Sequence, residues 1–228
     1  MRVVEPDPVL RERLHAHLSS WLGAWPPSSP LDIVGSERRT RPGWDGRVAR
    51  VVGVATPDGA VLSVPPELLG AVRGLGSDLD AVGAGIGGLF GRPGTPLFRA
   101  VFRWCHELRD LGDPGEWLPV DDLRVPEWLR PFNGDVLVAW DEDGSYGAGV
   151  GRKIHDEHGQ ELAVATEERL RRRGLAAGLV AQAARRVAEE GAVATYLHAP
   201  TNVASARTAE AAGFPEVGWS VLGLPFAS

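Results

Sequence analysis

The sequence predicts a mixed α/β (α+β) chain, helices flanking a sheet, with an additional N-terminal lobe. Two observations carry this. From Asp135 onward, β-branched runs and helical apolar spacing alternate in the order β-β-β-α-β-α-β. Before that, an amphipathic helix, a hairpin and two further helices read as a different texture, either the leading elements of the same fold or a lobe of their own; the expected partition is 1–125 and 126–228.

The elements follow in order. In "PVLRERLHAHLSSWLGAW", Leu10, Leu14, Leu18 and Leu22 recur four apart, one face of a helix that "PPSSP" then stops. "RVARVVGVATPDGAVLSV" reads as a hairpin turning at Pro57, Asp58 and Gly59. "PPELLGAVRGL" reads as a short helix, and "PLFRAVFRWCHELRDL" as a stronger one, with Leu97, Val101, Trp104, Leu108 and Leu111 at helical spacing. Between them, Gly83, Gly85 and Gly88 fit the G-x-G-x-x-G spacing of a dinucleotide fingerprint. That motif needs a strand entering and a helix leaving, and neither is in view, so "GAGIGG" reads as a flexible loop. Residues 112–133, rich in Pro, Trp and Asp, read as a connecting segment.

The second half is more regular. "DVLVAW" and "YGAGVGRKI" form a hairpin through an Asp-Gly turn, and "ELAVAT" is a third strand. "LAAGLVAQAARRVAEEG" is a long helix ending at Gly191. "AVATYLH" is a strand, "NVASARTAEAAGF" a short helix and "VGWSVLGL" a final strand.

Composition narrows the function classes. At 228 residues and 43% hydrophobic, the chain is able to bury a substantial core, and its formal net charge of -6 argues against a general polyanion binder. No nucleic-acid or membrane partner is expected: no stretch approaches the roughly eighteen apolar residues of a membrane span, and the reading is soluble and cytoplasmic. A single cysteine, Cys105, excludes an internal disulfide and a multi-cysteine metal site, and reads as a buried small hydrophobe. His155 and His158 lack the helical H-E-x-x-H register, so no metal is expected.

The basic run "RLRRRGLAAGLV" stands against this acidic balance. It reads as a solvated helix end or as the rim of an anion site. A strand leading through Arg171, Arg172, Arg173, Gly174, Leu175 and Ala176 into a helix aims backbone N–H groups at one point, at the positive end of the helix dipole. The Gly-Lys-Ser/Thr ending of a nucleoside-triphosphate loop is absent, so a phosphate carrier that needs no metal fits better.

The spacing Arg171-x-x-Gly174-x-Ala176 after a strand resembles the acyl-CoA signature of the GNAT superfamily of N-acyltransferases. Asn202 to Phe214, beginning in Asn and ending in Gly-Phe, resembles that family's second block. The resemblance covers roughly residues 134–224 and implies a mixed, mostly antiparallel sheet. It implies acetyl-CoA as co-substrate, with pantetheine bonded near Val164, Ala165 and Thr166 and its pyrophosphate on the amides of residues 172–176, Arg171 and Arg173 as charge partners. Asn202 would bond the pantetheine or open its own helix as a cap. The implied chemistry is direct attack of a primary amine, of a small molecule or peptide, on the thioester, with a backbone N–H near Ala165 as donor to the carbonyl oxygen. Glu161 and His158 are the candidate bases, each equally readable as a strand flank or a polar turn.

One departure stands out. Where many members carry a tyrosine that protonates the leaving thiolate, this chain has Ala209. Ser205, Tyr196 or His198 are the replacements in reach, and Tyr196 and His198 share a side of their strand. The alternative is a non-catalytic acyl-CoA-binding or regulatory module. Trp104, Trp117 and Trp128 are candidate linings of an acceptor pocket, and a homodimer is compatible with the sequence.

Overall fold

A computed structural model describes residues 5–226. The chain forms two compact units that interleave along the sequence instead of meeting at one cut. One comprises the stretch up to His17 with Arg103–Val217; the other comprises Leu18–Phe102 with the stretch from Gly218.

The elements run α1 (Pro8–Leu22), β1 (Leu31–Gly35), β2 (Val52–Thr56), β3 (Gly59–Val64), α2 (Leu69–Arg73), α3 (Leu79–Leu89), β4 (Phe98–Trp104), β5 (Glu116–Leu118), β6 (Val136–Trp140), β7 (Tyr146–Ile154), β8 (Gly159–Thr166), α4 (Leu175–Glu189), β9 (Val193–His198), α5 (Val203–Ala211) and β10 (Ser220–Gly223). From β6 on, this is the order read from the sequence. In α1, Leu10, Leu14, Leu18 and Leu22 are all buried.

In the second unit, β3 pairs antiparallel with β2 and parallel with β1, while β10 lies between β2 and β4, antiparallel to both. Ile33, Val51, Leu62, Val64, Val72, Val82, Ile86 and Leu222 form its core. Two expectations are corrected here. "PLFRAVFRWCHELRDL" is not a helix: its first half is β4, in register with β10 from Phe98↔Gly223 to Val101↔Ser220. The apolar spacing admits a helix, but Phe, Val and Trp are strand formers, and the pairing with β10 decides. "GAGIGG" is not a loop: it lies inside α3, whose N-cap Asp78 accepts from the amides of Asp80 and Ala81 at 3.1 and 2.9 Å. Its glycines permit close packing, since a Cβ on Gly87 would fall 2.5 Å from the carbonyl oxygens of Arg92 and Thr95. Strand β1 lies beyond the proline stop and was not expected.

In the first unit, β5 to β8 form an antiparallel meander, and β9 adds parallel to β8. The segment expected to be only a connection holds β5 and a 3-10 turn at Glu127–Leu129; Leu118, Val125, Leu129, Val136 and Val138 pack together beneath it. Helix α4 contacts β7, β8 and β9, with Leu179, Val180, Ala183, Ala184 and Val187 buried. Cys105 is buried, which pushes its thiol up to about 12. Among the described residues no helix is long and apolar enough to cross a membrane.

Candidate active site

Strands β8 and β9 part company. Their pairing runs from Gly159↔Val193 to Leu162↔Tyr196 and stops, although β8 continues to Thr166 and β9 to His198. On its other edge β8 stays paired with β7 as far as Ala148↔Thr166. The amide of His155 donates to Gly159 O at 3.2 Å and that of Glu167 to Gly147 O at 2.8 Å. Odd-numbered residues of β8 therefore make the hydrogen-bonded pairs with β7, by the alternation of antiparallel ladders. Even-numbered residues direct their main-chain groups to the opposite edge. Val164 and Thr166 thus face the gap, whereas Ala165 is turned toward Gly149. The Thr166 carbonyl accepts from Arg171 Nε at 3.3 Å, and among the described residues its buried Oγ1 has no hydrogen-bond partner.

Beyond β8 a 3-10 turn at Glu168–Leu170 leads into the arginine run. Arg172 has φ +65° and Gly174 φ +80°, and Arg172 is the non-glycine residue with positive φ among those described. A side chain there costs of order 1–3 kcal/mol, which marks the turn as held by its surroundings for some end other than local comfort. The first α4 bond runs from the Gly178 amide to Gly174 O at 3.0 Å. Among the described residues, no acceptor meets the amides from Arg172 to Ala177. These donors stand at the start of a fifteen-residue helix, an arrangement that in general favours a negative charge. A Cβ on Gly174 would meet nothing within 4 Å, so this side of the turn is open. The turn borders a cleft of about 960 Å³ whose walls include Arg173, Gly174, Leu175, Arg109, Leu111 and Trp140.

Glu161 sits one residue before the strands part, opposite Thr195 on β9 and Lys153 on β7. It is buried, contacts Lys153 Nζ, and has His155 Nε2 at 3.5 Å from its Oε2. Burial raises its pKa, but His155 and the Lys153 charge outweigh that and leave the carboxyl below its ordinary range. Behind this group, His17 Nδ1 lies 3.0 and 3.1 Å from the Asp156 carboxylate, with its ring 5.9 Å from that of His155. Lys153, His17 and Asp156 were not singled out from the sequence. Hairpin register alone puts residue 153 opposite 161, but nothing in the sequence brings the N-terminal helix to the turn. His158 is not brought to Glu161; it is half-exposed beside Glu157 at 3.5 Å.

At the crotch of the gap, Tyr196 Oη and Ser205 Oγ are 2.8 Å apart. Burial raises the Tyr196 phenol pKa, opposed by Ser205 and the Arg103 charge. Asn202 is the N-cap of α5, its Oδ1 accepting from the Ser205 amide at 3.0 Å. His198 is engaged elsewhere: Arg103 Nε donates to its Nε2 at 3.0 Å, so Nδ1 carries the proton toward Ala199 O at 2.9 Å. Ala209 is fully buried. The rings of Trp104 and His106 lie 3.9 Å apart and tilted by 44°, Trp117 lies under the Arg152 guanidinium, and Trp128 donates to Tyr146 Oη at 3.0 Å. Among the described residues no group of three or more His, Cys, Asp or Glu is placed to hold a metal ion.

No curated protein matches the chain. Among solved structures, it is similar to a GCN5-related N-acetyltransferase-like protein from Streptococcus suis, at 16% identity over 95% of this chain and 100% of that one, with a TM-score of 0.47. An acetyltransferase from the GNAT family from Colwellia psychrerythraea matches at 15% identity over 57% of each chain, TM-score 0.44. A GCN5-related N-acetyltransferase from Kribbella flavida matches at 20% identity over 57% of this chain and 59% of that one, TM-score 0.39. The chain thus spans little more than half the length of the last two. The sequence model of the acetyltransferase (GNAT) family matches residues 99–214, taking in β4 as well as both motifs. With half of its length so matched, this chain belongs to the acetyltransferase (GNAT) family.

Proposed function

We propose that the chain is an N-acetyltransferase moving the acetyl group of acetyl-CoA to a primary amine of a small molecule or peptide, in a cytoplasmic setting. The observation that carries the reading is the parting of β8 and β9 directly before a turn of unpartnered amides at the start of α4. A pantetheine arm has amide groups spaced like a short peptide, and the main-chain groups of Val164 together with the Thr166 amide receive it as an added strand. The amides of residues 172–176 hold the diphosphate, with Arg172 and Arg173 beside them and Arg171 fixing the Thr166 carbonyl. Thr166 Oγ1, buried and without a partner among the described residues, fits a polar group in the gap.

Glu161 takes the amine proton. Its depressed pKa keeps it ionised at neutral pH, and the ammonium formed as nitrogen bonds to carbon is acidic enough for a weak base to accept its proton. The Val164 N–H, which faces the gap, donates to the carbonyl oxygen as that oxygen gains charge. When the carbon–sulfur bond breaks, the Ser205 hydroxyl donates to the sulfur, and the Tyr196 hydroxyl donates to Ser205 Oγ, strengthening it as a donor. A thiolate is a far better leaving group than an amide or alkoxide ion, so it departs without a dedicated acid at position 209. Asn202 fixes the Ser205 backbone for this role.

Thiol release from acetyl-CoA across a panel of primary amines tests the reading. Release that requires the amine is expected. The alanine at position 209, which offers no acid to the leaving thiolate, favours a second reading, a binding module, and tight CoA binding without turnover on any amine would select it.

A further inference from the structure

Helix α4 devotes one stripe to an irregular piece of chain. Gly178, Gln182 and Arg185 recur at i, i+4 and i+7, so they share a face. Gln182 Nε2 donates to Gly115 O at 3.0 Å, and its Oε1 accepts from the Gly115 amide at 3.0 Å. Arg185 donates to the carbonyls of Arg109 and Gly112, the latter at 3.0 Å, and pairs with Asp113. A Cβ on Gly178 would fall 3.1 Å from Pro114 Cγ, so the glycine lets the segment lie close against the helix. Residues 109–115 contain no helix or strand of their own, and these bonds set their path.

That path makes Arg109, Leu111 and Pro114 a wall of the same cleft that Arg173 and Gly174 border. The wall of the β6–β7 turn is acidic, Asp141 to Asp143, and Arg169 is already paired with Asp141. Among the described residues, the Arg109 side chain pairs with Glu107 alone, at 3.3 Å with both side chains about half exposed. Such an exposed pair is worth about 0–1 kcal/mol, less than a charge-assisted bond to a phosphate dianion.

Resting on the acetyl-CoA reading, we infer that Arg109 recognises the phosphate on the ribose of coenzyme A, so that the protein distinguishes coenzyme A from its dephospho form. Leu111 and Pro114 offer apolar surface for the adjoining adenine.

The test is calorimetry on the full chain with CoA and with dephospho-CoA, for the wild type, Arg109→Gln and Arg109→Lys. The wild type is expected to favour CoA by about ten- to hundredfold, the range of one hydrogen bond to a charged group. Arg109→Gln should bring that ratio to within about threefold while leaving dephospho-CoA affinity unchanged, and Arg109→Lys should keep part of it. Equal wild-type affinities, or a ratio that survives Arg109→Gln, would overturn the inference and leave the acetyl-CoA reading standing. Failure of the wild type to bind either compound would instead bring down that reading, and the inference with it.

Discussion

Glu161→Gln separates catalysis from binding in one substitution. The amide is nearly isosteric, so packing against Thr195 and Lys153 is kept and only the charge is removed. Stability should fall by roughly 1–3 kcal/mol, the cost of weakening a hydrogen bond to a charged partner. The lower part of that range is expected because Lys153 is partly exposed and reaches water. CoA affinity should stay within about twofold, since Glu161 alternates with Val164 across the strand and lies ten positions before the arginine turn. The rate should fall by about 10²–10⁴, the usual worth of a positioned general base. Urea denaturation, CoA calorimetry and amine-dependent thiol release measure the three quantities. Raising the pH should recover part of the lost rate by supplying more free amine. A rate within threefold of wild type, with folding and CoA affinity preserved, would remove Glu161 from the proton transfer.

Three further outcomes follow from named contacts. Gly174→Ala places a Cβ where nothing in the chain meets it, so its folding cost is only the left-handed backbone, about 1–2 kcal/mol; CoA affinity should drop about tenfold besides, and an unchanged affinity would mean no phosphate approaches this residue. Ser205→Ala should lower kcat about tenfold at constant KM for acetyl-CoA and, by stranding the Tyr196 hydroxyl, destabilise by about 1–3 kcal/mol; adding Tyr196→Phe should recover stability but not rate, and a normal kcat in Ser205→Ala would exclude the pair from thiolate departure. Glu190 has its pKa raised by burial but lowered further by Gln160, Arg152 and Arg186. Its folded-state pKa thus lies below the ordinary 4.5, so its stabilising share is present above that pH and lost as pH falls through the folded value; the gap in urea midpoint between wild type and Glu190→Gln should close below about pH 4.5, and a gap that widens on acidification would reverse the sign.

The part of the fold legible in the sequence was the part written in local pattern. The hairpin signals at Asp143-Gly144 and the long apolar stripe of α4 survive because turn chemistry and helical period need no distant partner. Residues 97–111 misread because their apolar spacing satisfies a helix while the deciding term, pairing with β10 more than a hundred positions later, is not local. The glycines of α3 misread for the converse reason: they look like a breaker, but Asp78 caps the helix and tertiary neighbours at Gly87 tolerate no side chain.

The candidate site divides the same way. The arginine–glycine turn and the Asn202 cap are contiguous motifs, and they lie between β8 and α4 and at the start of α5. The surroundings of Glu161 are only partly contiguous: His155 lies in the same hairpin, but His17, which meets Asp156 behind it, arrives from α1. Strand parity was also out of reach: which of Val164 and Ala165 faces the gap depends on the β7–β8 register, which only the hydrogen bonds at residues 147 and 155 fix.

The most direct measurement is amide hydrogen exchange, resolved by residue, with and without saturating CoA. Unpartnered donors exchange freely until an acceptor arrives, so the amides of Arg172 to Ala176 should slow sharply and together when CoA is added. Binding that leaves those amides exchanging at their free rate would show that the diphosphate rests elsewhere and that the arginine turn is only a solvated helix end.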